Sequence, residues 1–138
     1  MIAKDIESIV SLGKDSDELA VSETSRWWSA TRLSVWIKAD QDILLVAEED
    51  KKIIGVLLTT VHVPTQIIYL SDIIIHKDYR RKGFATQLVG EALKQAKLLG
   101  IDWAYGLTQT NNENIQKLLK HEGFIRGEEL VWFEKKPL

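Results

Sequence analysis

The chain has 138 residues, of which 45% are hydrophobic and 28% charged, with a formal net charge of −2. These values are typical of one soluble domain over residues 1–138, with no overall charge that favours nucleic acid or a membrane surface. Cysteine is absent, which excludes disulfides, thiolate nucleophiles and cysteine-based zinc sites. No apolar run approaches the ~18 residues that span a bilayer. The first residues lack an apolar signal core, so we expect a cytoplasmic protein.

The first third of the chain predicts two helices. Apolar spacing predicts one helix over residues 5–20, interrupted at Gly13, and a second over residues 22–38. The second helix is rich in tryptophan, at Trp27, Trp28 and Trp36. These rings either pack in the core or form an aromatic wall of a pocket for an acceptor.

Three strands are predicted next. They cover residues 43–47, 52–62 and 66–75, and Gly55 marks a bulge in the second of them. Short turns join the three strands, so we expect them to be antiparallel, and the third is apolar nearly throughout, which is typical of a central strand. The acidic turn at 48–50 is either solvated or attracts a cationic acceptor.

The second half predicts alternating helices and strands. A helix over 85–99 ends at Gly100, and the next helix begins at a cap formed by Thr110 or Asn111 and ends at Gly123. Strands are predicted at residues 103–108, 124–126 and 130–134. The strand–helix–strand unit over 66–108 is a parallel crossover. The predicted fold is therefore α+β, with a mixed, mostly antiparallel sheet, one parallel pair and helices on both faces.

A basic turn separates the third strand from the helix that follows it. A helix start leaves about four backbone N–H groups without partners and carries about half a positive charge. Gly83 and Ala85 keep the turn free of bulky side chains, and Arg80, Arg81 and Lys82 add cationic charge. These features predict a phosphate-binding turn, against the alternative of an ordinary glycine-containing helix start.

Two motifs carry a resemblance to a known family. Residues 80–85, Arg-Arg-Lys-Gly-Phe-Ala, resemble the Arg/Gln-x-x-Gly-x-Gly/Ala acyl-CoA pyrophosphate motif of the GNAT superfamily of N-acyltransferases. Downstream, Asn112-x-x-Ile115 and Leu118-Leu119-x-x-x-Gly123-Phe124 resemble the family's second motif at the family's spacing. The resemblance covers residues 42–135. Family members open with a strand before the first helix, and here that strand is short or missing.

The resemblance implies an acetyl-CoA-dependent N-acetyltransferase that moves an acetyl group to an unidentified primary amine by direct attack in a ternary complex. It places acyl-CoA in a splayed wedge between the strand that ends at Ile75 and the one that ends near Thr108. Asn112 would contact the cofactor arm, or only cap its helix. The implied cofactor-binding residues are Ile73, Ile74, Ile75, Arg80, Arg81, Lys82, Gly83, Phe84, Ala85, Thr86 and Asn112.

The catalytic positions of the family are altered in this sequence. The usual acid, a tyrosine, is Leu119, and the usual base, a glutamate, is Ser71. Family members can place a base two residues further back, at Tyr69, which either relays a proton through water or merely packs. Strand alternation puts Tyr69, Ser71 and Ile73 on one face, with Asp72 on the other unless a bulge intervenes. The Ile75 backbone N–H could stabilise the oxyanion.

These departures keep other interpretations open. The chain could be an acyl-CoA-binding module with reduced or no catalysis, or a structural domain with an empty cleft. The three histidines form no metal-binding pattern, so no metal site is expected. The tight loop at residues 127–129 suggests an open site, or one completed by the partner subunit of a homodimer.

Overall fold

A computed structural model describes residues 1–14, 16, 19, 22 and 27–138. Four strands form one sheet in the order β1-β2-β3-β4. The strands are β1 (Leu44–Glu49), β2 (Lys52–His62), β3 (Ile67–Ile75) and β4 (Trp103–Gly106). The first three pair antiparallel and β4 runs parallel to β3, which confirms the predicted mixed sheet.

The helices cover both faces of this sheet. They are α1 (Ile6–Lys14), α2 (Ala30–Trp36), α3 (Phe84–Leu98) and α4 (Glu113–His121). On one face α1 and α2 bury Ile9 and Leu33 against Leu58 and Ile74. On the other face, α3 packs its buried stripe on Leu57 and Ile68 of the sheet, and α4 adds partly buried leucines. The helix spacing at 3.6 residues and the strand alternation thus produce two separate apolar layers.

The first two helices are shorter than predicted. Helix α1 ends at Lys14, and most of its predicted extension to residue 20 lies outside the described residues. Helix α2 begins only after Ser29, whose hydroxyl accepts a hydrogen bond from the Arg32 N–H and caps the helix. Residues 27–29 are not helical, and residues 23–26 of the predicted helix lie outside the described part.

The inner strands β2 and β3 follow the prediction closely. Pairing between β1 and β2 slips between Ala47 and Glu48, which leaves Ile54 as the extra residue, next to the predicted bulge at Gly55. A Cβ atom at Gly55 would lie 2.5 Å from Cδ1 of Ile75 and 3.1 Å from the Ile74 carbonyl oxygen, so a larger residue here would require the Ile75 side chain and the neighbouring strand to shift.

The two closing strands were predicted wrongly. Residues 124–126 and 130–134 have strand-like sequences, but the structure assigns no strand to them. The chain leaves α4 through Gly123 at φ 87°, and from residue 125 onward every residue is exposed. A strand sequence becomes a strand only beside a partner, and this segment has no strand partner among the described residues.

The cap of α4 differs from the prediction, whereas the start of the chain agrees with the expected short or missing first strand. Asn112, rather than Thr110 or Asn111, caps α4, because its Oδ1 accepts a hydrogen bond from the Ile115 N–H at 3.3 Å. Residues 1–14 contain no strand, and a 3₁₀ turn over Ala3–Asp5 leads into α1. Within the described part of the chain, none of the helices is long and apolar enough to cross a membrane.

Candidate functional site

The two parallel strands separate halfway along β3. Pairing with β4 covers only Ile67 to Leu70, whereas β3 continues to Ile75. At the same point the pairing of β3 with β2 slips, since Leu58 faces Asp72 and Thr59 faces Leu70. Ser71 is therefore the extra residue of a β-bulge, which bends a strand and increases its twist. The result is a wedge that opens between β3 and β4 beyond Leu70.

Backbone groups of β3 line this wedge. The His76 N–H donates to the Ile54 carbonyl oxygen of β2 at 2.7 Å. Because successive residues of a strand direct their N–H groups to opposite sides, Ile74 also faces β2, and Ile73 and Ile75 face the wedge. An extended ligand arm could pair with these two residues as an added strand would.

The turn after β3 leaves the start of α3 open. Arg81 and Gly83 have φ of 62° and 84°, so the chain folds back on itself just before the helix. Gly83 is the N-cap residue, and because glycine has no side chain it does not cap the first helical N–H groups itself. A Cβ atom built on Gly83 would meet nothing within 4 Å. These donors and the helix dipole are therefore accessible to an anion, as the sequence predicts.

Neighbouring side chains fix the shape of this turn. The Arg80 Nε donates to the Ile75 carbonyl oxygen at 3.0 Å, which ties the turn back to the end of β3. The Lys82 ammonium lies 5.0 Å from the centre of the Tyr79 ring, a cation–π contact. His76 accepts a hydrogen bond from the Asp78 N–H through Nδ1 and belongs to the turn. The basic residues thus surround a turn of defined geometry.

The bulge at Ser71 also changes which side chains of β3 lie on the α1/α2 face of the sheet and which lie on the α3 face. Ile68 and Leu70 pack on the α3 face, and Ile73 does so too, although alternation from Tyr69 would put Ile73 on the opposite face. The predicted sharing of one face by Tyr69 and Ile73 is therefore wrong, because the extra residue Ser71 reverses the alternation. Asp72 now lies on the α1/α2 face, where sequence reasoning placed it only in the presence of a bulge.

Asp72 is a partly buried carboxyl group that lies beside a tryptophan. Its Oδ2 accepts a hydrogen bond from Nε1 of Trp28 at 2.8 Å. Burial raises the pKa of Asp72, and the hydrogen bond from Trp28 opposes that rise only in part. A partly buried carboxyl with a raised pKa next to a cleft is a candidate proton acceptor. Two adjacent polar residues, Ser71 and Asp72, inside an otherwise apolar strand were the available sequence signal for it.

Tyr69 occupies the same face and is coupled to Asp72. Burial raises the pKa of Tyr69 first, and the charges of Asp72 and Tyr105 raise it further. The Tyr69 ring stacks on Tyr105 of β4 with centroids 4.9 Å apart, and Trp103 follows at 6.0 Å from Tyr105. The three rings thus form an aromatic row, Tyr69–Tyr105–Trp103, across the two parallel strands. The row lies beside the carboxyl group of Asp72.

The three tryptophans of the N-terminal third are part of the core. All three pack on the α1/α2 layer, and Trp28 and Trp36 form an edge-to-face pair at 4.8 Å. Trp27 donates to the Ile9 carbonyl oxygen and Trp36 to Asp42. Core packing therefore accounts for Trp27 and Trp36, while Trp28 also connects the core to Asp72.

The second motif lies on the far side of the wedge. The Asn112 side chain caps α4 through Oδ1, and its Nδ2 group is not used by that bond, so contact with a cofactor stays a prediction. Leu119 packs on the α3 layer, and its carbonyl oxygen accepts from the Phe124 N–H. Its side chain has no proton to donate, as the sequence indicates.

Comparisons with known proteins agree with this geometry. A model of the acetyltransferase (GNAT) family matches residues 13–124. No curated protein sequence matches the chain. Among solved structures, an aminoglycoside N-acetyltransferase in complex with CoA superposes with a TM-score of 0.79 at 18% identity, covering 99% of this chain and 96% of that one. A GNAT acetyltransferase from Streptococcus pneumoniae gives 0.77 at 23% identity, with 92% and 83% covered. A ribosomal-protein-alanine N-acetyltransferase from Brucella melitensis gives 0.76 at 15%, with 89% and 80% covered.

Proposed function

Because the chain belongs to the acetyltransferase (GNAT) family, we propose that it is an N-acetyltransferase that moves an acetyl group from acetyl-CoA to a primary amine. The transfer is direct attack within a ternary complex, carried out by one domain over residues 1–138. Acetyl-CoA is the acyl donor in this family and supplies the activated thioester. No cysteine is needed, because no covalent intermediate forms on the protein.

The uncapped start of α3 is the observation that carries this proposal. The N–H groups of residues 81–86 hold the pyrophosphate of CoA, since the N-cap residue Gly83 has no side chain and a Cβ atom there would meet nothing within 4 Å. Arg80 both ties the turn to Ile75 and brings a cation to this place. Lys82 adds a second cation above the Tyr79 ring.

The wedge beyond Leu70 receives the pantetheine arm. Ile73 and Ile75 present backbone groups to it, whereas Ile74 faces β2 and supports the strand from behind. Asn112 lies at the start of α4, where its amide Nδ2 contacts the arm from the other side while Oδ1 continues to cap the helix.

Asp72 and Tyr69 supply the proton transfers. A primary ammonium must lose a proton before it attacks the thioester carbonyl, because a free alkylamine has a pKa of about 10.4. The Asp72 carboxylate accepts that proton through water. The Tyr69 phenol stays protonated, since burial raises its pKa, and it hydrogen-bonds to the departing thiolate. The Ile75 N–H stabilises the oxyanion that forms on the carbonyl oxygen. The Tyr69 phenol thus takes the place of the acid that Leu119 cannot provide, and Asp72 acts as the base.

The acceptor binds against the aromatic row. Tyr69, Tyr105 and Trp103 present flat apolar faces next to the Asp72 charge, a combination that suits a cationic amine on a ring such as an amino sugar. The similarity to aminoglycoside N-acetyltransferases supports the same class of acceptor. A homodimer and a cytoplasmic location belong to the proposal as well, and they stay predictions.

Two measurements, made one after the other, test the proposed function. Calorimetry with acetyl-CoA should give a dissociation constant in the micromolar range, and no binding below about 1 mM would overturn the proposal. Thiol release is then followed with a panel of amines that includes aminoglycosides, polyamines and peptides. Release with amino sugars supports the acceptor class. Tight CoA binding without release from any amine would favour the alternative, an acyl-CoA-binding module, for which the leucine at position 119 is the supporting observation.

A further inference from the structure

The outer edge of β1 is open, and it lies at the opposite side of the sheet from β4. Within the described part of the chain, β1 pairs with β2 and has no strand on its other side. The Leu44 carbonyl oxygen accepts a hydrogen bond from the Met1 ammonium group at 2.9 Å, and Met1 lies outside the sheet. Leu44 therefore faces outward. Because backbone groups alternate in direction along a strand, Val46 and Glu48 face outward as well.

The hairpin between β1 and β2 indicates the same alternation. Both turn residues, 50–51, have positive φ, of 49° and 63°, which is the type I′ geometry. Such a turn closes on a directly hydrogen-bonded pair, here Glu49 with Lys52. Counting back by twos from Glu49 again leaves Val46 and Glu48 outward, since the extra residue of the bulge belongs to β2. In the described ranges, no backbone hydrogen bond from outside the sheet reaches these two residues, so their N–H and C=O groups are open to an added strand.

A cleft of about 230 Å³ lies beside this edge, between β1 and α3. Leu45 and Ala47 of the strand and Phe84 and Leu88 of the helix supply its apolar lining, and all four belong to the α3 layer of the core. Side chains of a strand alternate between the two faces of its sheet. Every second side chain of a strand added to β1 would therefore lie over this cleft.

The same cleft carries negative charge. Glu48 and Glu91 line it together with the Gln87 amide, and no lysine or arginine is among the described residues that line it. Glu91 contacts Lys94 at 3.8 Å on the exposed surface of α3, and an exposed pair of this length contributes little stability. Glu48 has no ion-pair partner in the part of the chain that the structure describes. Both carboxylates are thus available to a cation of a bound partner.

We propose that an extended, basic segment of a partner protein adds to the β1 edge as a fifth strand and places alternate side chains in the cleft. Main-chain hydrogen bonds join it to Val46 and Glu48, an apolar side chain packs on Phe84 and Leu88, and a lysine or arginine contacts the carboxylates of Glu48 and Glu91. A small ligand in the cleft would leave the backbone groups of the edge unpaired, and an acidic strand would meet like charge. A strand that alternates apolar and basic residues satisfies the edge, the apolar lining and the carboxylates together.

This second surface is separate from the proposed acetyl transfer. The wedge lies between β3 and β4, whereas the cleft lies at β1, at the other edge of the sheet. Phe84 is common to the cleft and to the turn proposed for the pyrophosphate, so the variants that test the inference leave Phe84 unchanged.

Fluorescence anisotropy in the absence of acetyl-CoA tests the binding. The probe is a labelled peptide of about eight residues in which valine and lysine alternate and both ends are blocked, a length that matches a strand. It should bind with a dissociation constant of about 10–100 μM. A valine–glutamate peptide of the same length should not bind. The valine–lysine peptide with all its backbone nitrogens methylated should not bind either, because it has no N–H donors for the edge.

Two kinds of variant separate backbone pairing from charge. Val46→Pro removes the outward N–H but no hydrogen bond to β2, as proline on an edge strand permits, so it should weaken peptide binding at least about 10-fold. Glu48→Gln and Glu91→Gln should each weaken binding about 3-fold or more and reduce its dependence on salt. Glu113→Gln is the matched control and should bind as wild type does, since Glu113 is likewise an exposed helical glutamate with a lysine partner, Lys117 at 3.7 Å. Circular dichroism checks folding, and if Val46→Pro does not fold, the methylated peptide decides the backbone part.

Amide hydrogen exchange locates the bound peptide, because saturating peptide should slow exchange of the Val46 and Glu48 N–H groups. No binding below about 1 mM, equal binding of the methylated peptide, or unchanged affinity in both glutamine variants would overturn the inference. Protection of the two N–H groups that increases with the concentration of the free protein would overturn it as well, because a second copy would then cover the edge. Peptide binding by a chain that binds no acetyl-CoA would overturn the proposed function alone.

Discussion

Replacement of Gly83 by alanine separates cofactor binding from stability. Gly83 has φ 84°, where an L-residue is strained by about 1–2 kcal/mol, and no neighbouring atom lies within 4 Å of the added Cβ. The folding cost is therefore the backbone strain alone, which lowers Tm by roughly 3–8 °C in a chain of this size. The added methyl group also occupies the space in which the pyrophosphate would approach the helix N–H groups.

The chain provides a matched control for this experiment. Gly100 has φ 78° and also no atom within 4 Å of an added Cβ, but it lies at the opposite end of α3. Gly100→Ala should lose similar stability and keep its affinity for CoA. Gly83→Ala should bind CoA at least about 10-fold more weakly, equivalent to about 1.4 kcal/mol.

Thermal unfolding by circular dichroism and calorimetry with CoA measure the two effects separately. If both variants bind CoA as tightly as the wild-type protein, the pyrophosphate does not sit on this turn, and the reasoning fails. If both lose affinity equally, the loss follows from stability rather than from contact with the ligand.

Further predictions concern catalysis, cofactor charge and packing. Asp72→Asn should lower kcat about 100-fold or more with unchanged acetyl-CoA affinity, and wild-type kcat/KM should rise with pH through the raised pKa of Asp72. Because folding raises the pKa of Asp72, the protonated carboxyl stabilises the folded state, and this stabilisation is lost as pH rises through the folded-state pKa. The free energy of unfolding of Asp72→Asn should therefore exceed that of the wild-type protein at pH 7 but not in acid. Tyr69→Phe should slow the release of CoA thiol when acetyl-CoA and an amine acceptor are supplied, and full activity would exclude Tyr69 from the mechanism. Arg80→Ala should weaken CoA binding about 10-fold by calorimetry, and unchanged affinity would count against its role. Gly13→Ala should cost about 1–3 kcal/mol in denaturant unfolding, because its Cβ would overlap the Trp27 ring, and wild-type stability would contradict that packing.

The sequence predicts most of the sheet because local patterns determine it. The runs that became β2, β3 and α3 are long and strongly periodic, and their ends carry glycine or a tight turn, so their bounds agree with prediction to within a residue or so. The helix start at Gly83 after a buried strand was also predictable from the glycine and the apolar run before it, whereas phosphate binding there stays a prediction.

The sequence could not predict features that depend on non-local pairing. The bulge at Ser71 appears only in the register between β2 and β3, and it places Asp72 on the α1/α2 face beside Trp28. The apolar residues after Gly123 were assigned to strands because propensity describes the segment and not its partner. In both cases the missing information lies in the pairing with a neighbouring strand, which local sequence does not describe.

A crystal structure of the chain with bound CoA tests the central claim most directly. The account predicts pyrophosphate oxygens about 3 Å from the N–H nitrogens of residues 81–86, with the pantetheine arm alongside Ile73 and Ile75 in the wedge. A pyrophosphate bound elsewhere, with water against those N–H groups, would contradict it.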